Sequence, residues 1–120
     1  MLNELSKDIH EMNVRKGFYE NKKEIGTMLM LIVSELSEAL EADRINKHAD
    51  LQNFIDCKNM YNDEAFAFKS TIKDTFEDEI ADSIIRLFDL CGYLNIDIDT
   101  HIKLKLDYNK TRENKHGKNY

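Results

Sequence analysis

An apolar stripe with a period of 3.6 residues runs through Ile25, Met28, Leu29, Ile32, Leu36, Ala39 and Leu40, and it constrains this chain more than any other feature. That spacing suits one face of a helix and no strand. A second stripe of the same period passes through Phe76, Ile80, Ile84, Leu87, Phe88 and Cys91. Proline is absent and glycine occurs only four times, so nothing interrupts long helices. The expected class is all-α.

Each stripe carries a pair of carboxylates at i and i+3, Glu35 and Glu38 in SELSEALEADR and Glu79 and Asp82 in EDEIAD. At about 100° per residue, Glu35 lies roughly 90° from the centre of its stripe and Glu38 roughly 150° to the same side. Glu79 and Asp82 lie about 100° and 160° from theirs, in the same rotational sense. Two helices packed antiparallel, stripe to stripe, would therefore collect all four acids on one side, whereas parallel packing would separate them. Four half-buried anions persist together only when protonated or bound to a cation. A donor set made only of oxygen favours Mg²⁺, with Mn²⁺ as an alternative, over zinc. A single ExxE is most often a solvated helix flank, and Asp82 has Arg86 at i+4 for a surface ion pair. It is the matched rotation of two pairs that points to a metal site.

At 120 residues and 14.1 kDa the chain is expected to form one domain, residues 1 to 120. Residues 2 to 14 read as a first helix with Leu2, Leu5, Ile9 and Met12 inward and Gly17 breaking it. The second helix starts near Ile25. A third starts around Thr71 to Asp74, where Thr or Asp can cap it, and ends near Gly92. Between these, residues 45 to 70 mix polar residues with Leu51, Phe54, Ile55, Met60, Phe66 and Phe68, and read as a shorter helix plus loop. NIDIDTHIKL alternates like a strand, but a lone strand would have no partner, so a fourth helix capped by Asp97 or Asp99 is expected. Its Lys105, Asn109, Arg112 and His116 share one polar face, bordered by Tyr108 and ended by Gly117. Cations and an amide on one stripe suit phosphate oxygens, while a solvated helix end is their commoner meaning.

A net charge of -6 argues against a general nucleic-acid binder. The charge is uneven: residues 101 to 120 hold six Lys and Arg against Asp107 and Glu113, a local +4 that leaves -10 elsewhere. Cys57 and Cys91 lack CxxC spacing and are expected to be reduced, Cys91 in the core. The longest apolar run, Met28 to Val33, is too short to span a bilayer, and no signal peptide is recognised, so a cytoplasmic protein without membrane contact is expected. Glu113 and His116 form one ExxH, but a di-iron bundle needs two. No Gly-rich phosphate loop, GxSxG elbow or paired Cys/His site occurs in the sequence.

Four blocks, in order, resemble the MazG-like nucleoside triphosphate pyrophosphohydrolases of the all-α NTP pyrophosphatase superfamily. They are HEMNVRKGFYE (10 to 20), LMLIVSELSEALEADR (29 to 44), EDEIADSIIRLFDLCGYLNID (77 to 97) and KLDYNKTRENKHGK (105 to 118). The resemblance implies a bundle of about four main helices, a homodimer or larger assembly, and cleavage of an NTP or dNTP to the monophosphate and pyrophosphate. It implies Glu35, Glu38, Glu79 and Asp82 as Mg²⁺ ligands and Lys105, Asn109 and Arg112 as phosphate contacts. The gap between Glu38 and Glu79 is longer than in compact members, so an insertion is expected within residues 45 to 70.

The expected chemistry is attack of an activated water at the α-phosphorus, with Glu38, the more accessible acid of its pair, taking the proton. The alternatives are a specialised phosphoribosyl-ATP, dUTP or dCTP pyrophosphohydrolase, and a catalytically silent helical module that binds nucleotide or a protein partner.

Overall fold

The computed structural model describes residues 1–112, and these contain helices but no strand. Six helices follow in order: α1 (Leu2–Arg15), α2 (Ile25–Arg44), α3 (Leu51–Tyr61), α4 (Glu64–Thr71), α5 (Phe76–Tyr93) and α6 (Ile98–Asn109). The all-α expectation holds. Glu113, His116 and Gly117, which entered the reading of the last helix, lie outside the described residues. The chain divides into two compact units, one of Asn21–Leu87 and one of Met1–Glu20 with the chain from Phe88 onward.

In the first of these units α2 and the opening turns of α5 run antiparallel. The Phe76 N–H at the start of α5 donates to Lys47 O just beyond the end of α2, at 2.9 Å. Further along α5, Arg86 meets Glu35, which lies further back along α2. Thr75 caps α5: its Oγ1 accepts from the Asp78 N–H, and Asp78 in turn accepts from the Asp74 N–H. Asp74, at φ 65°, takes the left-handed turn into this cap. His48 ties the segment after α2 to α5, with one ring nitrogen on Asp43 and the other on Glu77.

Residues 45 to 70 hold two helices where the sequence suggested one and a loop. Asp50 caps α3 through the N–H groups of Gln52 and Asn53, and Asp63 caps α4 through that of Phe66. Asn62, left-handed at φ 48°, ends α3 and lets the chain turn directly into α4.

The second unit joins α1, the last turns of α5 and α6. Asp97 caps α6 through the Thr100 N–H. Asp99 caps a different helix: its carboxylate accepts from the N–H groups of Leu2 and Asn3, closing the start of α1. The Asn3 side chain answers by donating to Asp97 and accepting from the Asp99 N–H. Gly17, at φ 86°, turns the chain after α1 as expected. Gly92, expected as a helix terminator, has another task, since α5 continues to Tyr93. A Cβ there would lie 2.6 Å from His10 Cβ and 2.8 Å from Ser6 O, so glycine permits α1 to pack closely. The left-handed residue after α5 is Asn95.

Burial departs from the sequence stripes in a consistent direction. On α2 the buried residues are Ile32, Ala39 and Ala42, while Leu36 and Leu40 are half exposed at 48% and 51%. On α5 Glu79, Ser83, Leu90 and Cys91 are buried, as is its cap Thr75, while Ile84 and Leu87 are exposed. In α1, Ser6 and Ile9 are buried, while Leu5 and Met12 are exposed. The packed seam between α2 and α5 is thus rotated toward the acid pairs. The stripes are wider than the neighbouring helices cover. Cys91 is buried and both cysteines are free. No helix of the described residues is long and apolar enough to cross a membrane.

Candidate metal centre

The acids meet because Glu35 lies between the buried Ile32 and Ala39 on α2, and Glu79 one turn before the buried Ser83 on α5. One oxygen each from Glu35, Glu79 and Asp82 lie within 4.8 Å of one another. Glu38 is exposed on α2, and it contributes to the shifts of Glu35 and Glu79. Three of the four acids singled out from the sequence, Glu35, Glu79 and Asp82, therefore lie together.

The electrostatics of the group are uneven. Glu79 is only 4% exposed, and its burial, followed by hydrogen bonds and charge from Glu35 and Glu38, pushes its carboxyl up to about 8. Its Oε2 is buried without a hydrogen-bond partner among the described residues. Burial also works to raise Glu35, but hydrogen bonds from Arg86 and Glu79 outweigh it and hold this carboxyl below its usual range. Asp82 is raised by burial and by the charges of Asp78 and Glu35, with Arg86 opposing. One acid of the group thus keeps a proton at neutral pH while its neighbour stays ionised, the pattern expected of carboxyls sharing a site without enough positive charge.

Arg86 takes a partner other than the one that its spacing offered as the commoner alternative. Its i+4 spacing suggested a surface pair with Asp82, but its Nε donates across to Glu35 Oε1 at 2.9 Å. Spacing along one helix could show that Arg86 was near the acids, but not which helix would receive it. A second acidic group, Asp74, Asp78 and Glu79, also falls within 4.8 Å. Its first two members are accounted for by the cap of α5.

Lys105, Asn109 and Arg112 belong to the other unit. Lys105 and Asn109 lie on α6, whereas Arg112 lies past its end, so the expected continuous helical stripe stops at Asn109. Each of the two cations lies by the Tyr108 ring, Lys105 Nζ at 5.4 Å and the Arg112 guanidinium at 5.6 Å from its centroid. Asn109 Oδ1 is buried without a partner among the described residues.

Sequence reasoning passed over one further constellation in this unit. Asp89 accepts from the Tyr19 hydroxyl at 2.6 Å and pairs with His10 Nδ1 at 3.0 Å. The rings of His10, Tyr19 and Tyr93 pack on one another. Burial and the Asp89 carboxylate push the Tyr19 hydroxyl well above its usual range, so it stays a donor. His10 and Tyr19 stand in the first block of the family resemblance, the only signal that marked them.

Compared with protein-family models, curated proteins and solved structures, the chain matches none.

Proposed function

We propose that the chain is an Mg²⁺-dependent nucleoside triphosphate pyrophosphohydrolase that cleaves an NTP or dNTP to the monophosphate and pyrophosphate. The observation that carries this reading is Glu79, a buried carboxyl with one oxygen lacking any hydrogen-bond partner among the described residues, set close to Glu35 and Asp82. An orphaned buried oxygen costs free energy that a cation would recover. The oxygen-only donor set fits Mg²⁺ or Mn²⁺, with Glu35, Glu38, Glu79 and Asp82 as the residues that would hold it. Bound there, the ion would offset phosphate charge and lower the pKa of a water.

The chain's own groups then have distinct tasks. Glu38, exposed beside the buried acids, accepts the proton of the water that attacks the α-phosphorus, and pyrophosphate departs. Glu35 and Glu79 are fixed in the α2–α5 seam and orient rather than exchange protons with solvent. Lys105 and Arg112, both by the Tyr108 ring, bind phosphate oxygens together with Asn109.

Homodimerisation, or a larger assembly, belongs to the same proposal. Along α2, Leu29, Met30, Leu31, Val33, Leu36 and Leu40 are all exposed, more apolar surface than a lone helix face usually leaves to water. The two free cysteines suit a reducing compartment such as the cytoplasm.

The deciding experiment is a panel of nucleoside and deoxynucleoside triphosphates with Mg²⁺, read by pyrophosphate and monophosphate formation. The expected result is metal-dependent release of both products in equal amount from at least one nucleotide. Absence of release from every nucleotide, in protein that binds Mn²⁺, would leave a binding module and remove the enzyme.

A further inference from the structure

Arg86 stands at the edge of the acid group with its charge already committed. Its Nε donates to Glu35 Oε1 at 2.9 Å, and the Glu35 side chain is 13% exposed while that of Arg86 is 42% exposed. A guanidinium has five N–H donors in a rigid fork, and only Nε is engaged among the described residues, leaving the two Nη groups open. The closer cross-helix contact has been preferred to the Asp82 partner offered on its own helix. The acid it pairs with is one of the three whose oxygens lie within 4.8 Å of one another.

We propose that Arg86 is the resident counter-cation of the acid group: it holds Glu35 while no metal is bound, is displaced from Glu35 when a divalent cation loads, and then offers its guanidinium to a phosphate oxyanion. The inference rests on the metal reading above and adds a residue to it. A doubly charged ion held by Glu35, Glu79 and Asp82 would sit beside the guanidinium and repel it, and both compete for the same carboxylate. Once released, a half-exposed planar fork next to a cation is suited to paired contacts with phosphate, which lysine at the same place would not make. Arg86 would thereby link metal loading to anion binding.

The test uses the full chain and two probes, Mn²⁺ alone and inorganic pyrophosphate added to Mn²⁺-loaded protein. Arg86→Met keeps the apolar stem without the charge, and Arg86→Lys keeps the charge without the fork. Arg86→Met should bind Mn²⁺ about ten-fold more tightly than the parent chain, and the loaded variant should bind pyrophosphate about ten-fold or more weakly. Arg86→Lys should fall between the two in pyrophosphate affinity. Unchanged or weaker Mn²⁺ binding in Arg86→Met overturns the displacement, and unchanged pyrophosphate binding overturns the anion role. A measurement on the unaltered chain guards against a variant that fails to fold. The Arg86 Nε–H resonance should move on adding Mg²⁺, and a resonance that stays in place while Mg²⁺ binds overturns the proposal. If the unaltered chain binds no Mn²⁺, the metal reading itself falls, a result distinct from the others.

Discussion

Replacing Glu79 by glutamine in metal-free protein tests the central electrostatic claim. The unfolded chain releases this proton near pH 4.5, whereas the folded chain holds it until about 8. Between those values the native state binds one proton more than the unfolded state, so stability must fall as pH rises. The slope for one proton is about 1.4 kcal/mol per pH unit, and the full interval sets a ceiling of about 5 kcal/mol. Glu35, in contact with Glu79 and shifted the opposite way, returns part of it, because the two carboxyls share the titration. From pH 5.5 to 7.5 the expected loss attributable to this site is about 2 kcal/mol. Glutamine reproduces the shape of the protonated acid and has no proton to lose. Glu79→Gln should therefore gain on the parent chain as pH rises, its advantage growing by about 2 kcal/mol between pH 5.5 and 7.5. Urea unfolding in EDTA at half-unit pH steps measures this. His48 adds a fall in the same direction, because hydrogen bonds to Glu77 and Asp43 raise its pKa. Its contribution is present below about pH 6.5 and fades as pH climbs through the raised value, but it is common to both proteins and cancels in the comparison. Parallel pH profiles for the two proteins would refute the claim that Glu79 carries the proton.

Glu38→Gln should abolish turnover with the fold intact, because the amide cannot accept a proton; normal turnover in a folded variant removes Glu38 from the chemistry. Arg112→Ala should cost roughly ten- to hundred-fold in kcat/KM, whereas Lys103→Ala, which loses only its ion pair with Asp107, should cost little. Equal small effects would reduce the cation group to a solvated helix end. Sedimentation at micromolar concentration should show a dimer or larger species, and a monomer would contradict the assignment of the exposed α2 residues. Gly92→Ala should lower stability by about 1–3 kcal/mol, since the new methyl meets His10 Cβ and Ser6 O, and an unchanged denaturation midpoint would show that α1 can shift aside.

The sequence by itself determined what depends on local spacing. Apolar periodicity and the absence of proline were enough for an all-helical chain. The i, i+3 acids in matched rotation led to the expectation that Glu35, Glu38, Glu79 and Asp82 would meet if their helices ran antiparallel, and Glu35, Glu79 and Asp82 do lie together. The cap of α6 was narrowed to Asp97 or Asp99, and the structure shows why both were plausible: Asp97 closes its own helix and Asp99 closes α1. Tertiary structure decided everything that depends on which face meets which neighbour. It turned the packed seam toward the acids, left Leu36 and Leu40 outside it, and gave Arg86 to Glu35 in place of Asp82. It also made Gly92 a point of contact and not an end. The physical reason is common to these cases. Helix periodicity fixes where side chains lie around an axis, but the rotation of one helix against another is set by the summed packing and charge of both, which no single segment carries.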